Sequence, residues 1–349
     1  MKKIFLTLVM SALASLFADN LIGEYVGTVK ADKANFSRNP QLAFHVYREG
    51  ETYKIGVYQD LWKRATPYIK FDAKAKNGVI EFANKGGNKF TGKIDGEKVS
   101  GTIISTYREN DEDKTIEIKF ELPKLNRKSP TLGMSAPKGA EVLFDGKNLD
   151  QWRAANNMPM PWKLVGKGKD AYFEVAKAKD SSGKMKGSDI VSKKKFQNDF
   201  KLHVEFMIPD EMNKGLGQHR ANSGVFLGRF EVQVLDSFGV DGAWNECGAL
   251  YKVMPPQINM SLPPLVWQTY DIEYKAPRFK NGVMSEYPEI TVFHNGVQIH
   301  RNIKMKESTE HEGRNRDLSK MTDAPIEIKL QDHGNPVMYR NIWVVEDKI

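Results

Sequence analysis

Residues 229–237 read RFEVQVLDS and residues 325–333 read PIEIKLQDH. In both, apolar and polar side chains alternate with a period of two, the mark of a strand whose faces meet different surroundings. Phe230, Val232 and Val234 then share one face, leaving Arg229, Glu231 and Gln233 on the other. In the second run Ile326, Ile328 and Leu330 oppose Glu327, Lys329, Gln331 and His333. If the two strands share a sheet, Glu231, Gln233, Lys329, Gln331 and His333 converge on one surface. A carboxylate, an ammonium, two amides and an imidazole form a set able to bind sugar hydroxyls and move protons. The plainer reading is a solvated face of a half-buried sheet, but ordinary exposed strand positions favour Thr over the two glutamines.

Working outward, the same alternation recurs at Phe200, Leu202, Val204 and Phe206, and at Tyr270, Ile272 and Tyr274, with no sustained helical period between them. Many strands without intervening helices predict an antiparallel sandwich over residues 140–349. Asn295-Gly296, between ITVF-His294 and VQIH, is the clearest two-residue hairpin turn. The stretch Lys304–Glu312 has a weak helical pattern that fits a loop better. From residue 19 to 126 short alternating runs separated by Asn77-Gly78, Gly86-Gly87 and Asp95-Gly96 predict a small antiparallel meander or half-barrel. Residues 127–139, with Pro130, Pro137 and several small residues, read as a linker. Residues 1–18 have two lysines, an apolar run and small residues near its end, the pattern of a signal peptide for export to the periplasm or outside the cell.

The chain has 349 residues, with 52 Lys and Arg against 44 Asp and Glu and a formal charge of +8. Both signs are interspersed, so no basic face for nucleic acid is indicated. After the first segment no apolar run is long enough to span a membrane. The one cysteine, Cys247, excludes a disulfide within the monomer. No GxSxG, Walker loop, GxGxxG, HExxH or CxxC occurs, which argues against serine hydrolases and nucleotide enzymes. Histidines 219, 294, 300 and 311 lack paired ligand spacing. No cofactor is therefore expected, although carboxylates with His333 leave a divalent metal open. Glu231 and Asp236 fall on opposite faces, which disfavours a paired-carboxylate glycosidase. Among the aromatic residues near loops, Trp62, Trp152, Trp162, Trp244 and Tyr251 could each be a sugar platform or core. Trp267 and Trp343 read as packing.

The runs AEVLFDGKNLDQW from 140, NSGVFLGRFEVQVLDS from 222, CGALY from 247, PPQINMSLPPLVWQTYDIEY from 255, ITVFHNGVQIH from 290 and IKLQDHGNPVMYRNIWV from 328 occur in one order. Together they resemble the 3-keto-disaccharide hydrolase family. The resemblance implies a concanavalin A-like or laminin G-like jelly-roll sandwich with its site on the concave sheet. It implies a glycoside whose glucosyl C3 is already a ketone, cleaved by C2 proton abstraction, elimination and hydration. The family's polar signature would fall on Arg220, Asn222, Glu231, Gln233, Asp236, Gln331 and His333. His333 or Glu231 would be the base, Arg220 or Lys329 would steady the enolate, and Asn222, Gln233, Gln331, Asp236 and Tyr251 would contact the sugar. A non-catalytic sugar-binding sandwich and a conventional glucanase of the same fold are the alternatives. The sequence leaves aglycone and oligomeric state open.

Overall fold

The computed structural model describes residues 19–59, 61, 66–84, 89–310 and 316–347. Residues 1–18, read above as a signal peptide, and Trp62, Gly86-Gly87 and His311 lie outside the described residues. The chain is all-β and divides into two compact units, with the boundary between Asn126 and Arg127. Among the described residues no helix is long and apolar enough to cross a membrane.

Among the described residues the first unit is one antiparallel sheet of nine strands. In spatial order these are Ile69–Ala73, Thr52–Tyr58, Gln41–Glu49, Gly23–Thr28, Glu112–Leu125, Lys98–Glu109, Lys89–Ile94, Val79–Ala83 and Ala75–Lys76. The sheet curls on itself, so that Phe44 from one half packs against Phe82 and Phe90 from the other, at centroid distances of 5.5 and 6.2 Å. This is the half-barrel that the alternation predicts. Asn77-Gly78 forms a hairpin turn with both residues at positive φ, 53° and 76°, the geometry that favours these residues. Asn110-Asp111 makes another, joining Glu109 to Glu112, with φ of 51° and 65°.

The second unit is a sandwich. Its larger sheet has the order Lys163–Val165, Tyr172–Glu174, Met338–Glu346, Phe200–Met207, Gln268–Lys275, Glu289–His294 and Val297–Lys304, with Glu141–Phe144 also on Met338–Glu346. The smaller sheet has the order Trp152–Ala154, Ile190–Ser192, Ile328–Leu330, Ser223–Leu227 and Phe230–Val234. Leu202, Val204 and Phe206 from the first and Val225, Leu227, Phe230, Val232, Val234, Ile328 and Leu330 from the second are fully buried in one core. Burial of each such side chain contributes roughly 1.5–3 kcal/mol. Alternation selects all of them except Val225 and Leu227, and it also sets Phe226 on the core face, whereas in the structure Phe226 stands opposite Glu231 and turns outward. Asn295-Gly296 turns the predicted hairpin, with His294 paired to Val297. Residues 305–310 are loop, as expected for that part of the weak helical pattern.

Two features lie at the edges of this core. Cys247 is fully buried with its Sγ 3.1 Å from the Tyr270 hydroxyl. Residues 127–139 are fastened as a strap onto their own unit. Arg127 donates to the carbonyls of Met260 and Ser261, the Ser129 hydroxyl lies 2.6 Å from Thr269 Oγ1, and Thr131 donates to Asp271 at 2.7 Å.

Candidate active site

Pairing in the smaller sheet sets the site. Phe226 stands opposite Glu231 on one side and Lys329 on the other. Directly opposite residues of an antiparallel pair point their side chains the same way, so Glu231, Phe226 and Lys329 form a row across the face turned away from the core. The row extends past the sheet edge. Leu250 bridges Val232 and the Tyr251 amide donates to the Glu231 carbonyl, which places Tyr251 beside Glu231. Lys329 holds its Nζ 3.7 Å from the centre of the Phe226 ring and 3.3 Å from Asp189. A cation over an aromatic face is attracted by the ring quadrupole, so this ammonium is positioned on two sides.

Glu231 lies on the floor of this surface, 5% exposed. Its backbone amide donates to Thr309 Oγ1 at 2.8 Å, and Arg229 holds the covering segment down through Glu310 at 2.8 Å and the Asp317 carbonyl at 3.0 Å. Among the described residues no group hydrogen-bonds to its carboxylate. Burial pushes the Glu231 carboxyl up to about 8, with Lys329 pulling it down and Asp189 adding to the rise. Gly224 explains how the carboxyl fits. Its φ is not in the left-handed region, so no turn demands glycine. A Cβ there would collide with Glu231 Oε1 and come within 2.9 Å of Phe226 Cε2. A glycine inside a strand commonly marks such a close approach.

The other sequence-selected residues separate into three environments. Gln233 donates its amide to Asn222 Oδ1 at 2.9 Å, and Asn222 donates to the side chain and carbonyl of Gln218 at 3.0 and 2.9 Å. These amides orient one another, and Gln218 was not legible as a partner. Arg220 and Asp236 form an ion pair at 2.9 Å, both about 1% exposed. Burial pushes Asp236 up to about 6 against the pull of Arg220. Gln331 lies two residues along from Lys329, its backbone amide donating to the Gly224 carbonyl at 3.0 Å, and its buried Oε1 has no partner among the described residues. His333 is exposed and lies beyond the strand, which stops at Leu330. Alternation therefore does not fix its direction, and the sequence-based placement of His333 on the Glu231 face does not extend to it.

Trp152 and Trp162 are core residues whose indole N–H groups donate to the Leu143 and Ser188 carbonyls, both at 2.9 Å. Asp189 and Thr309 escape a sequence reading because they come from loops. Asp189 precedes a three-residue strand, and only the Ile190-Val191 alternation after it hints at a face. Among the described residues no three His, Cys, Asp or Glu side chains gather as a metal-ligand set.

Comparison with known proteins sets this all-β sandwich, with its buried carboxyl and neighbouring lysine, among the glycosyl hydrolase-like enzymes. Residues 139–345 match the model of the 3-keto-alpha-glucoside-1,2-lyase-like domain. The chain belongs to that family, in agreement with the resemblance drawn from its motifs. A candidate glycosyl hydrolase from Parabacteroides distasonis ATCC 8503 is 35% identical with a TM-score of 0.51, over 61% of this chain and 86% of its own. A second candidate glycosyl hydrolase from the same organism is 18% identical with a TM-score of 0.42, over 60% of this chain and 95% of its own. No curated protein matches the chain.

Proposed function

We propose that the sandwich cleaves glycosides whose glucosyl C3 carries a ketone, and that it works outside the cytoplasm, as residues 1–18 suggest. The observation that carries this reading is the Glu231 carboxyl, buried and without a hydrogen bond, in one row with the Lys329 ammonium. A ketone at C3 acidifies the proton on C2. Glu231 takes that proton, and its pKa of about 8 suits a base operating near neutrality. Negative charge then develops on the C3 oxygen, where Lys329 stabilises it. The enolate collapses, the C1–O bond breaks, and the departing oxygen receives a proton from His333 or water. Water adds to the resulting C1–C2 double bond, C2 takes a proton from Glu231 after that carboxyl has exchanged with solvent, and the net change is hydrolysis. The unpartnered Gln331 oxygen accepts a sugar hydroxyl proton, while Gln233, Asn222 and Tyr251 shape the surface. Arg220 and Asp236 are given a framework role because each is the other's buried counter-ion.

The test is incubation of the protein in D₂O with a 3-keto-disaccharide beside its unoxidised parent. Cleavage of the keto form alone, with deuterium at C2 of the released 3-keto-glucose, is expected. Spontaneous exchange of free product is measured in parallel. Cleavage without C2 deuterium would overturn the elimination, and binding of either sugar without turnover would favour a lectin. Replacing His333→Ala should lower turnover and leave C2 exchange in place if His333 serves the leaving group.

A further inference from the structure

Beyond the carboxyl row lies an aromatic surface that the chemistry above leaves unused. Trp152, Trp162 and Trp343 are buried, and Trp267 has the Arg340 guanidinium over its ring at 4.0 Å. Trp244 is different, with 47% of its surface exposed. An exposed indole offers a broad apolar face on which a sugar ring can stack. The loop is also held in place. The Trp244 carbonyl accepts from the Lys252 amide at 3.2 Å, and the next residue's carbonyl accepts from Gln218 Nε2 at 2.8 Å. Gln218 is the residue that orients Asn222 and hence Gln233, so the loop and these buried amides share one hydrogen-bond chain.

The position matters as much as the exposure. Tyr251 stands beside Glu231 across the sheet edge, and the Trp244 ring lies 5.8 Å from the Tyr251 ring. The indole therefore stands one ring contact beyond the residue whose backbone pairs with that of Glu231. Lys252 Nζ lies 5.9 Å from both ring centres, where its N–H groups can reach hydroxyls at the edge of a stacked ring.

We propose that Trp244, backed by Tyr251 and edged by Lys252, is the subsite for the leaving group, and that this group is itself a ring, a second sugar whose C–H face stacks on the indole. The proposal rests on the functional reading above, and it adds that glycosides with a ring at C1 are preferred over those with a small alkyl group. The experiment compares kcat/KM for a 3-keto-disaccharide and for methyl 3-keto-glucoside in wild type, Trp244→Ala and Trp244→Phe. The ratio of disaccharide to methyl glycoside is expected to fall about tenfold in Trp244→Ala, the scale of one aromatic contact, and to recover partly in Trp244→Phe. An equal loss on both substrates, or no loss, would overturn the subsite. Should wild type turn over neither keto sugar, the functional reading fails by itself and the subsite is read by calorimetry with maltose and methyl glucoside. Maltose bound more tightly than methyl glucoside by wild type only, and not by Trp244→Ala, supports it. Equal affinities, or no maltose binding, overturn it.

Discussion

The sandwich buries two glutamates on the outer faces of its two sheets and treats them oppositely. Glu205, on the larger sheet, accepts from the Gly133 amide at 2.5 Å, Asn341 at 2.8 Å and Arg340 at 2.7 Å. His203 stands 3.6 Å away, itself 2.6 Å from Asp271 and stacked on Trp343 at 5.0 Å. Burial pushes Glu205 up, but these partners outweigh it and hold it down to about 2. Burial likewise pulls His203 down, and Asp271 with Glu205 outweighs it, so the imidazole is raised. Glu231, on the smaller sheet, has no such partners and rises to about 8. Residue type and burial are shared. What differs is whether the surroundings offer donors, and that separates a carboxylate fastening a strap from a carboxyl free to exchange a proton.

The comparison breaks most visibly in turnover. Glu231→Gln should reduce kcat on a 3-keto-glucoside by about 10²-fold or more, with the melting temperature unchanged or raised, because a carboxyl without partners is replaced by a neutral isostere. Loss of folding with loss of activity would mean that Glu231 is as structural as Glu205. The mirror experiment is Glu205→Ala, which strips a buried cation of its counter-ion and should destabilise by about 3 kcal/mol, read by urea unfolding, while kcat of the folded fraction is kept.

A smaller effect sharpens the geometry. Gly224→Ala should displace the Glu231 carboxyl and lower kcat by about tenfold, since small misplacements of a reacting group are costly. Unchanged kcat would show that the carboxyl has room to spare. The last contrast is in pH. Glu231 binds its proton more tightly folded than unfolded, so its contribution to stability is lost as pH rises from 4.5 through about 8. Glu205 does the reverse, with stability present above 4.5 and lost as pH falls toward 2. Unfolding curves of Glu231→Gln and wild type should therefore diverge in favour of the variant between pH 5 and about 8, and the wild-type rate should climb over the same interval. Parallel curves would sink the assignment of that titration to Glu231.

Much of this was legible in the chain. Alternation selected the core face of Phe230–Val234 and put Glu231 and Lys329 on one side, because a strand's period is fixed by its backbone. Asn77-Gly78 and Asn295-Gly296 declared their turns, whereas Asn110-Asp111 hid its own by lacking glycine. Alternation could not place His333, because it means nothing past the last paired residue, Leu330. The depth of Glu231 could not be read either, since Thr309 and Tyr251, which pair with its backbone, arrive from distant loops. Nor does proline content reveal that residues 127–139 have fixed partners in Thr269, Asp271 and Glu205.

Cys247 has a consequence of a different kind. Its burial pushes the thiol up, away from the reactive thiolate, and there is no second cysteine for it to pair with. A maleimide can therefore attach only after the sandwich opens around Tyr270. The molecule carries a single-site clock for its own opening, and its ticking rate can be read by mass in any buffer, with or without a sugar bound.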